Sequence, residues 1–270
     1  MLEIEGLRKT FNPGTHEEVR ALDGVTLTLE RGSFTVVIGT NGSGKTTLLN
    51  AVAGSFRPEA GRIRLDGTDI TRWAEHSRAT MIGRVFQDPY AGTAPRLTVW
   101  ENLALASRRG LVRRPIPLLR SRDRAGFRAA LARIGLGLED RLDAPIGLLS
   151  GGQRQAITLV MACLRAPQLL LLDEHTAALD PRSARQVILL TTELIGERNL
   201  TTMMVTHSMQ QAADCGHRLI AMHRGKPYLD VQGTAKAAWG PARLQELFSR
   251  MRRDDQMDAS TERLLADRYA

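Results

Sequence analysis

Gly39-Thr40-Asn41-Gly42-Ser43-Gly44-Lys45-Thr46 matches the pattern Gly-x-x-x-x-Gly-Lys-[Ser/Thr] at every fixed position. The residues on either side give it meaning. Phe34 to Ile38 is a continuous apolar run, as expected of a strand covered on both faces, and Lys45 to Ala53 has helical character. Glycines let a loop between such elements curl around a phosphate chain with its N–H groups turned inward. The helix that follows adds partial positive charge at its start. Lys45 is then placed to reach β- and γ-phosphates, and the Thr46 hydroxyl to ligate Mg²⁺. A nucleotide site follows from this stretch, but its purpose does not.

Further along, Leu169 to Leu172 forms an apolar strand ending in two acids, Asp173 and Glu174. Beside a phosphate loop, Asp173 is expected to hold Mg²⁺ through water. Glu174 is expected to polarise a water aimed at the γ-phosphate, as a general base. His207 follows the strand-like run Thr202 to Thr206 and so arrives at the same sheet edge; a catalytic and a structural role both fit it. Gln87 follows the run Ile82 to Phe86 in the same way, and on spacing alone an ordinary loop residue accounts for it equally well. Leu149-Ser150-Gly151-Gly152-Gln153 opens a helical stretch to Arg165, which makes a second anion-binding helix start. One nucleotide does not need two cradles.

The rest of the chain frames these motifs as an α/β protein. Leu2 to Leu7 alternates like an edge strand, Phe11 to Arg20 reads as a loop around Pro13-Gly14, and Val25, Leu27 and Leu29 alternate again. Arg62 to Leu65 turns through Asp66-Gly67 into a short hairpin partner. From Thr98 to about Ala166 the apolar period turns helical (Val99, Leu103, Leu105, then Phe127, Leu131, Ile134), marking a helical insertion in a sheet-based domain. Strand character returns at Gln168 to Leu172, Thr201 to Val205 and Arg218 to Met222. A helix from Pro181 to Glu197 links the first two as a right-handed crossover would. Arg224-Gly225-Lys226 turns a last hairpin, and Pro241 to Ala270 reads as two polar helical stretches parted by Asp254 and Asp255.

Composition limits the partners. The charge of +8 comes from 37 basic residues of which only four are lysine, and eight arginines crowd between Arg108 and Arg128. Phe127 is the one aromatic among them and aromatic content is 4%, so a base-stacking surface is not expected and nucleic acid is set aside. A solvated face near membrane headgroups is the expectation for the cluster. No apolar run reaches the roughly 20 residues of a spanning helix, and the N-terminus shows no secretory pattern. Cys163 and Cys215 are expected to be reduced, inert thiols in a cytosol.

Taken together, these residues resemble the nucleotide-binding subunits of ABC transporters, over nearly the whole chain from Leu2 to about Val231. Gly39 to Thr46 is similar to that family's Walker A, Gln87 to its Q-loop, Leu149 to Gln153 to its signature sequence, and Leu169 to Glu174 to its Walker B with the catalytic glutamate. Ala178-Leu179-Asp180 resembles the D-loop and His207 the H-loop. The resemblance implies a P-loop NTPase core sheet with an N-terminal antiparallel β subdomain and an inserted α-helical subdomain. Residues 1–240 would form the ATP-binding domain, with helices at about 98–166, and 241–270 a helical tail.

It also implies a mechanism. Two subunits stack head to tail around two ATP, so that Ser150, Gly151, Gly152 and Gln153 of one chain contact the nucleotide held by Gly39, Thr40, Asn41, Gly42, Ser43, Gly44, Lys45, Thr46 and Thr47 of the other. Glu174, His207 and Gln87 would be catalytic, and Thr46, Gln87 and Asp173 would surround Mg²⁺. The family stacks an aromatic on adenine, and Phe11 is the nearby candidate, with Val19 as its alternative. Asp180 is either a bridge to the facing subunit or an ordinary helix cap. The implied partners are separate membrane permeases, whose coupling helices dock near Gln87, and an extracytoplasmic binding protein. The implied location is the inner face of the cell membrane, with import favoured over export or lipoprotein extraction. Phe11 to Thr15 and Gly83 to Ala94 resemble a subgroup associated with aromatic and other amino acids.

Overall fold

The computed structural model describes residues 1–110 and 121–254. From the N-terminus the elements are β1 (Leu2–Phe11), β2 (Val19–Leu29), β3 (Phe34–Gly39), α1 (Lys45–Ala53), β4 (Ala60–Leu65) and β5 (Thr68–Asp69). There follow α2 (Glu75–Arg78), β6 (Ile82–Val85), α3 (Val99–Ser107), α4 (Ser121–Ala132), α5 (Gly151–Cys163) and β7 (Leu169–Asp173). The series closes with α6 (Pro181–Arg198), β8 (Thr201–Val205), α7 (Met209–Asp214), β9 (Arg218–His223), β10 (Lys226–Gln232) and α8 (Gly233–Ala237). A further helix spans residues 241–254.

Two sheets result. A small antiparallel one runs β2-β1-β4-β5, and a larger one runs β10-β9-β3-β8-β7-β6. In the larger sheet all neighbours are parallel except β10, which returns antiparallel on β9. The period of two sorts its strands' side chains onto two cores. Phe34, Val36 and Ile38 of β3 join Leu170, Leu172, Met204, Leu219 and Ala221 on the face covered by the helices. Val37, Leu169, Leu171, Met203, Val205, Ile220 and Met222 face the other way, onto α1 and the small sheet. Burial on both faces is why these strands are continuous apolar runs in the sequence.

Three local readings change. β1 is not an edge strand: it lies between β2 and β4, and its alternation reflects one face on the core and one in solvent. Leu105, placed on the apolar stripe of α3, is 45% exposed. The first tail stretch is not polar throughout. Leu244, Leu247, Phe248 and Met251 recur at helical spacing and are buried against the helical core. The second stretch, beyond residue 254, lies outside the described residues, as does the 111–120 part of the arginine cluster. Of the arginines described there, Arg124 pairs with Asp143 and stacks on Trp100 at 4.6 Å, and Arg128 bonds Glu139 O and Asp140. The chain itself thus engages part of that charge. Among the described residues no helix is long and apolar enough to cross a membrane. Both cysteines are buried and free, and burial pushes the Cys163 thiol up to about 11.

Candidate nucleotide-binding site

The phosphate loop leaves β3 at Gly39 and enters α1 at Lys45. Gly44 caps that helix with φ 98°, and a Cβ there would run into the carbonyl oxygen of Ala21, so only glycine fits. The loop is moored from behind: Gly225 N–H donates to Ser43 O (3.1 Å), and Asp23 N–H to Gly225 O (3.0 Å). The first turn of α1 has N–H groups without helical partners. Ser43 Oγ is buried with no hydrogen-bond partner among the described residues. A cradle closed by glycines and lined with unspent donors suits an anionic phosphate chain.

Lys45 is buried, its Nζ donating to Gly39 O and Thr40 O at 2.9 Å each. Burial holds its ammonium below the usual lysine range, although Glu174 and Asp173 pull the other way. Asp173 ends β7 and Glu174 follows it directly; β7 lies next to β8, itself next to β3. Glu174 has φ 45°, a left-handed turn for a non-glycine residue, fixed by its N–H bond to Val205 O (3.0 Å). Its Oε1 lies 2.6 Å from His207 Nε2. The β-sheet edge therefore brings Lys45, Asp173, Glu174 and His207 together, the usual place for ligand chemistry in such sheets.

Asp173 is buried, which raises its carboxyl pKa, and Arg84 opposes that rise from 3.6 Å. Arg84 also donates to Asn50 Oδ1 (2.5 Å) and Ser55 Oγ (3.1 Å) on and after α1. Sequence reasoning missed this residue. The available signal was a lone charge inside the apolar strand that precedes Gln87. His175, also missed, is buried beside Glu174. Its Nε2 meets Thr191 Oγ1 at 3.1 Å, and burial lowers its pKa to about 4.

The other predicted residues stand elsewhere. Thr46 is exposed and Thr47 half-buried in the first turn of α1. Gln87 is exposed just beyond β6. Phe11 is 40% exposed at the end of β1, edge-on to Phe56 at 6.1 Å, while Val19 pairs with it across the strands and is 51% exposed. Asp180 is a helix cap, accepting from Arg182 N–H (3.1 Å) and Ser183 N–H (3.0 Å) with Pro181 behind it. Ser150 and Gln153 form a capping box at the start of α5, and Gly151 and Gly152 face Leu179 and Ser183 across from it. No hydrogen bond or ion pair among the described residues joins this turn to the phosphate loop.

A model of the ABC transporter family matches residues 22–177. The chain belongs to the ABC transporter family. Like other members, it is an ATP-binding, ATP-hydrolysing subunit, and such ATPases dimerise and pair with transmembrane permeases. It is 43% identical over 236 residues to a tyrosine transport ATP-binding protein of Clostridioides difficile, covering 87% of this chain and 94% of that one. It is 38% identical over 225 residues to a lipoprotein-releasing system ATP-binding protein of Caulobacter vibrioides, covering 81% and 91%. A solved dimeric ATP-binding cassette in a post-hydrolysis state with ADP and Pi superposes with a TM-score of 0.72 at 29% identity, over 86% of this chain and 98% of that one.

Proposed function

We propose that this ABC ATPase drives a small-solute importer of amino-acid type, working as a head-to-tail dimer whose two ATP sites are each shared between chains. The contact that carries the catalytic part is Glu174 Oε1 to His207 Nε2 at 2.6 Å, beside Lys45. His207 donates to the carboxylate and fixes its direction. Glu174 takes a proton from a water, the water oxygen attacks the γ-phosphorus, and the bond to ADP breaks. Lys45 leaves its two loop carbonyls to bind the phosphates, and the loop N–H groups hold the rest. Thr46, Asp173 and Gln87 offer only hard oxygen donors, a set that suits Mg²⁺, which would neutralise phosphate charge there. Ser150 to Gln153, joined to its own chain's phosphate loop by no hydrogen bond or ion pair among the described residues, serves the second chain's ATP. Phe11 or Val19 covers the adenine.

Domain limits of 1–240 with helices at 98–166, and a tail from 241, fit this reading. A groove of about 450 Å³ between the sheet and the helices suits an apolar helix end from a permease. Ala53, Phe86, Leu105, Met161 and Ala162 line it, and Arg84 and Arg109 stand in its wall. Docking there would place the ATPase at the inner face of a membrane, fed by an extracytoplasmic binding protein. The amino-acid assignment is supported by the name of the relative from Clostridioides difficile. Affinity purification of the full chain from its own cells, then a ligand screen on the recovered complex, tests it. Multispanning permeases and a binding protein that takes amino acids are expected. Recovery with a lipoprotein-releasing or exporting membrane protein would overturn the import reading.

A further inference from the structure

Between β6 and α3 the chain carries Gln87, and five residues before α5, at Ile146, it begins the turn that presents Ser150. Two contacts tie these segments together. The Arg154 guanidinium lies 3.7 Å from the centre of the Tyr90 ring, and Gln155 Nε2 donates to Phe86 O at 3.0 Å. Arg154 is 2% exposed; its Nε donates to Ile146 O (3.3 Å) and its Nη2 to Gly147 O and Leu149 O (3.0 Å each), carbonyls of the turn leading into Ser150. Tyr90 is half exposed and held by its N–H bond to Asp88 Oδ1 (2.8 Å), one residue beyond Gln87. The hydrogen-bond partners of this buried arginine are carbonyl oxygens, and the ring face adds an electrostatic complement to the guanidinium. The shape of the Ser150 turn therefore depends on a ring that belongs to the Gln87 segment.

We propose that Tyr90 is a positioning residue for the shared nucleotide site. It clamps Arg154, Arg154 shapes the turn from Ile146 to Leu149, and that turn aims the Ser150–Gln153 helix start at the ATP of the facing chain. The inference rests on Ser150 to Gln153 acting in trans.

Sedimentation velocity of the full-length Glu174→Gln chain across an ATP series tests it, with Tyr90→Ala, Tyr90→Leu, Tyr90→Phe and Ser150→Arg added singly. ADP binding, which needs no second chain, is measured in parallel. Tyr90→Ala and Tyr90→Leu are expected to weaken ATP-dependent dimerisation roughly tenfold, since the contact occurs twice per dimer. ADP affinity is expected to stay unchanged, and Tyr90→Phe, which keeps the ring face, to match the parent. Dimerisation of Tyr90→Leu at the parent's ATP concentration would overturn the proposal even if Tyr90→Ala folds poorly. So would an equal loss of ADP binding, which marks a merely structural role. Ser150→Arg separates the two layers. If it dimerises normally, the trans reading and this inference both fail; if it stays monomeric while Tyr90→Leu dimerises normally, only this inference fails.

Discussion

Replacing Lys45 by Met should separate ligand binding from folding, because the structure gives the two roles different energies. In the chain without nucleotide, Nζ spends its charge on Gly39 O and Thr40 O, at 2.9 Å each, while buried. Removing it loses two hydrogen bonds but also removes a desolvated charge, and its lowered pKa shows that desolvation outweighs the pull of Glu174 and Asp173. The methionine stem keeps the packing. The net change in stability should fall within about 1 kcal/mol, a melting shift within about 4 °C. With nucleotide, the same ammonium would make two charge-assisted bonds to phosphate oxygens, together about 3–6 kcal/mol, or roughly 10²- to 10⁴-fold in affinity. Calorimetric titration with a non-hydrolysable ATP analogue, beside thermal melts of the free chain, measures both. The folded chain holds the Lys45 proton less tightly than the unfolded chain does. Wild type should therefore gain on the variant as pH rises from the lowered folded value toward 10.5. A variant that melts more than 10 °C lower (about 2.5–5 kcal/mol), or that binds within tenfold of wild type, would refute this account of Lys45.

His175 is buried neutral with a pKa of about 4 against an ordinary 6.5, so its contribution is complete above 6.5 and lost as pH falls toward 4. That is about 3 kcal/mol; urea unfolding of wild type and His175→Gln between pH 7 and 4.5 should converge, and parallel curves would remove the effect. At Gly152 an added Cβ would lie 2.6 Å from Ser183 Cβ. Gly152→Ala should cost about 1–3 kcal/mol by overpacking, less up to about 1 from helix propensity, and Gly152→Ala/Ser183→Gly should recover most of it in the same melts. Cys163 and Cys215, both buried with raised thiol pKa values, should resist alkylation at pH 8 until the chain is unfolded; fast labelling of the native protein would contradict their burial.

Much of the fold was legible because parallel strands covered on both faces leave uninterrupted apolar runs, as Phe34 to Ile38 and Leu169 to Leu172 do. Motifs of fixed spacing placed Lys45, Asp173, Glu174 and His207 at one sheet edge, where the structure puts them. What stayed hidden depends on contacts distant in sequence. The central position of β1 is set by its pairing with β4, since the alternating pattern of a half-buried strand is the same at an edge and inside a sheet. The apolar stripe of helix 241–254 is diluted by the exposed arginines Arg243, Arg250, Arg252 and Arg253. Arg84, Arg154 and His175 looked like ordinary polar residues because burial and partners, not residue type, give them their roles.

The central claim is that each ATP site takes half its contacts from a second chain. Sedimentation equilibrium of Glu174→Gln with radiolabelled ATP, alone and with Ser150→Arg added, tests it most directly. Glu174→Gln should form dimers carrying two ATP, because the nucleotide stays unhydrolysed between the chains, and the Ser150→Arg form should bind ATP and remain monomeric. A Glu174→Gln chain that stays monomeric at saturating ATP, or a Ser150→Arg form that dimerises as readily, would contradict it.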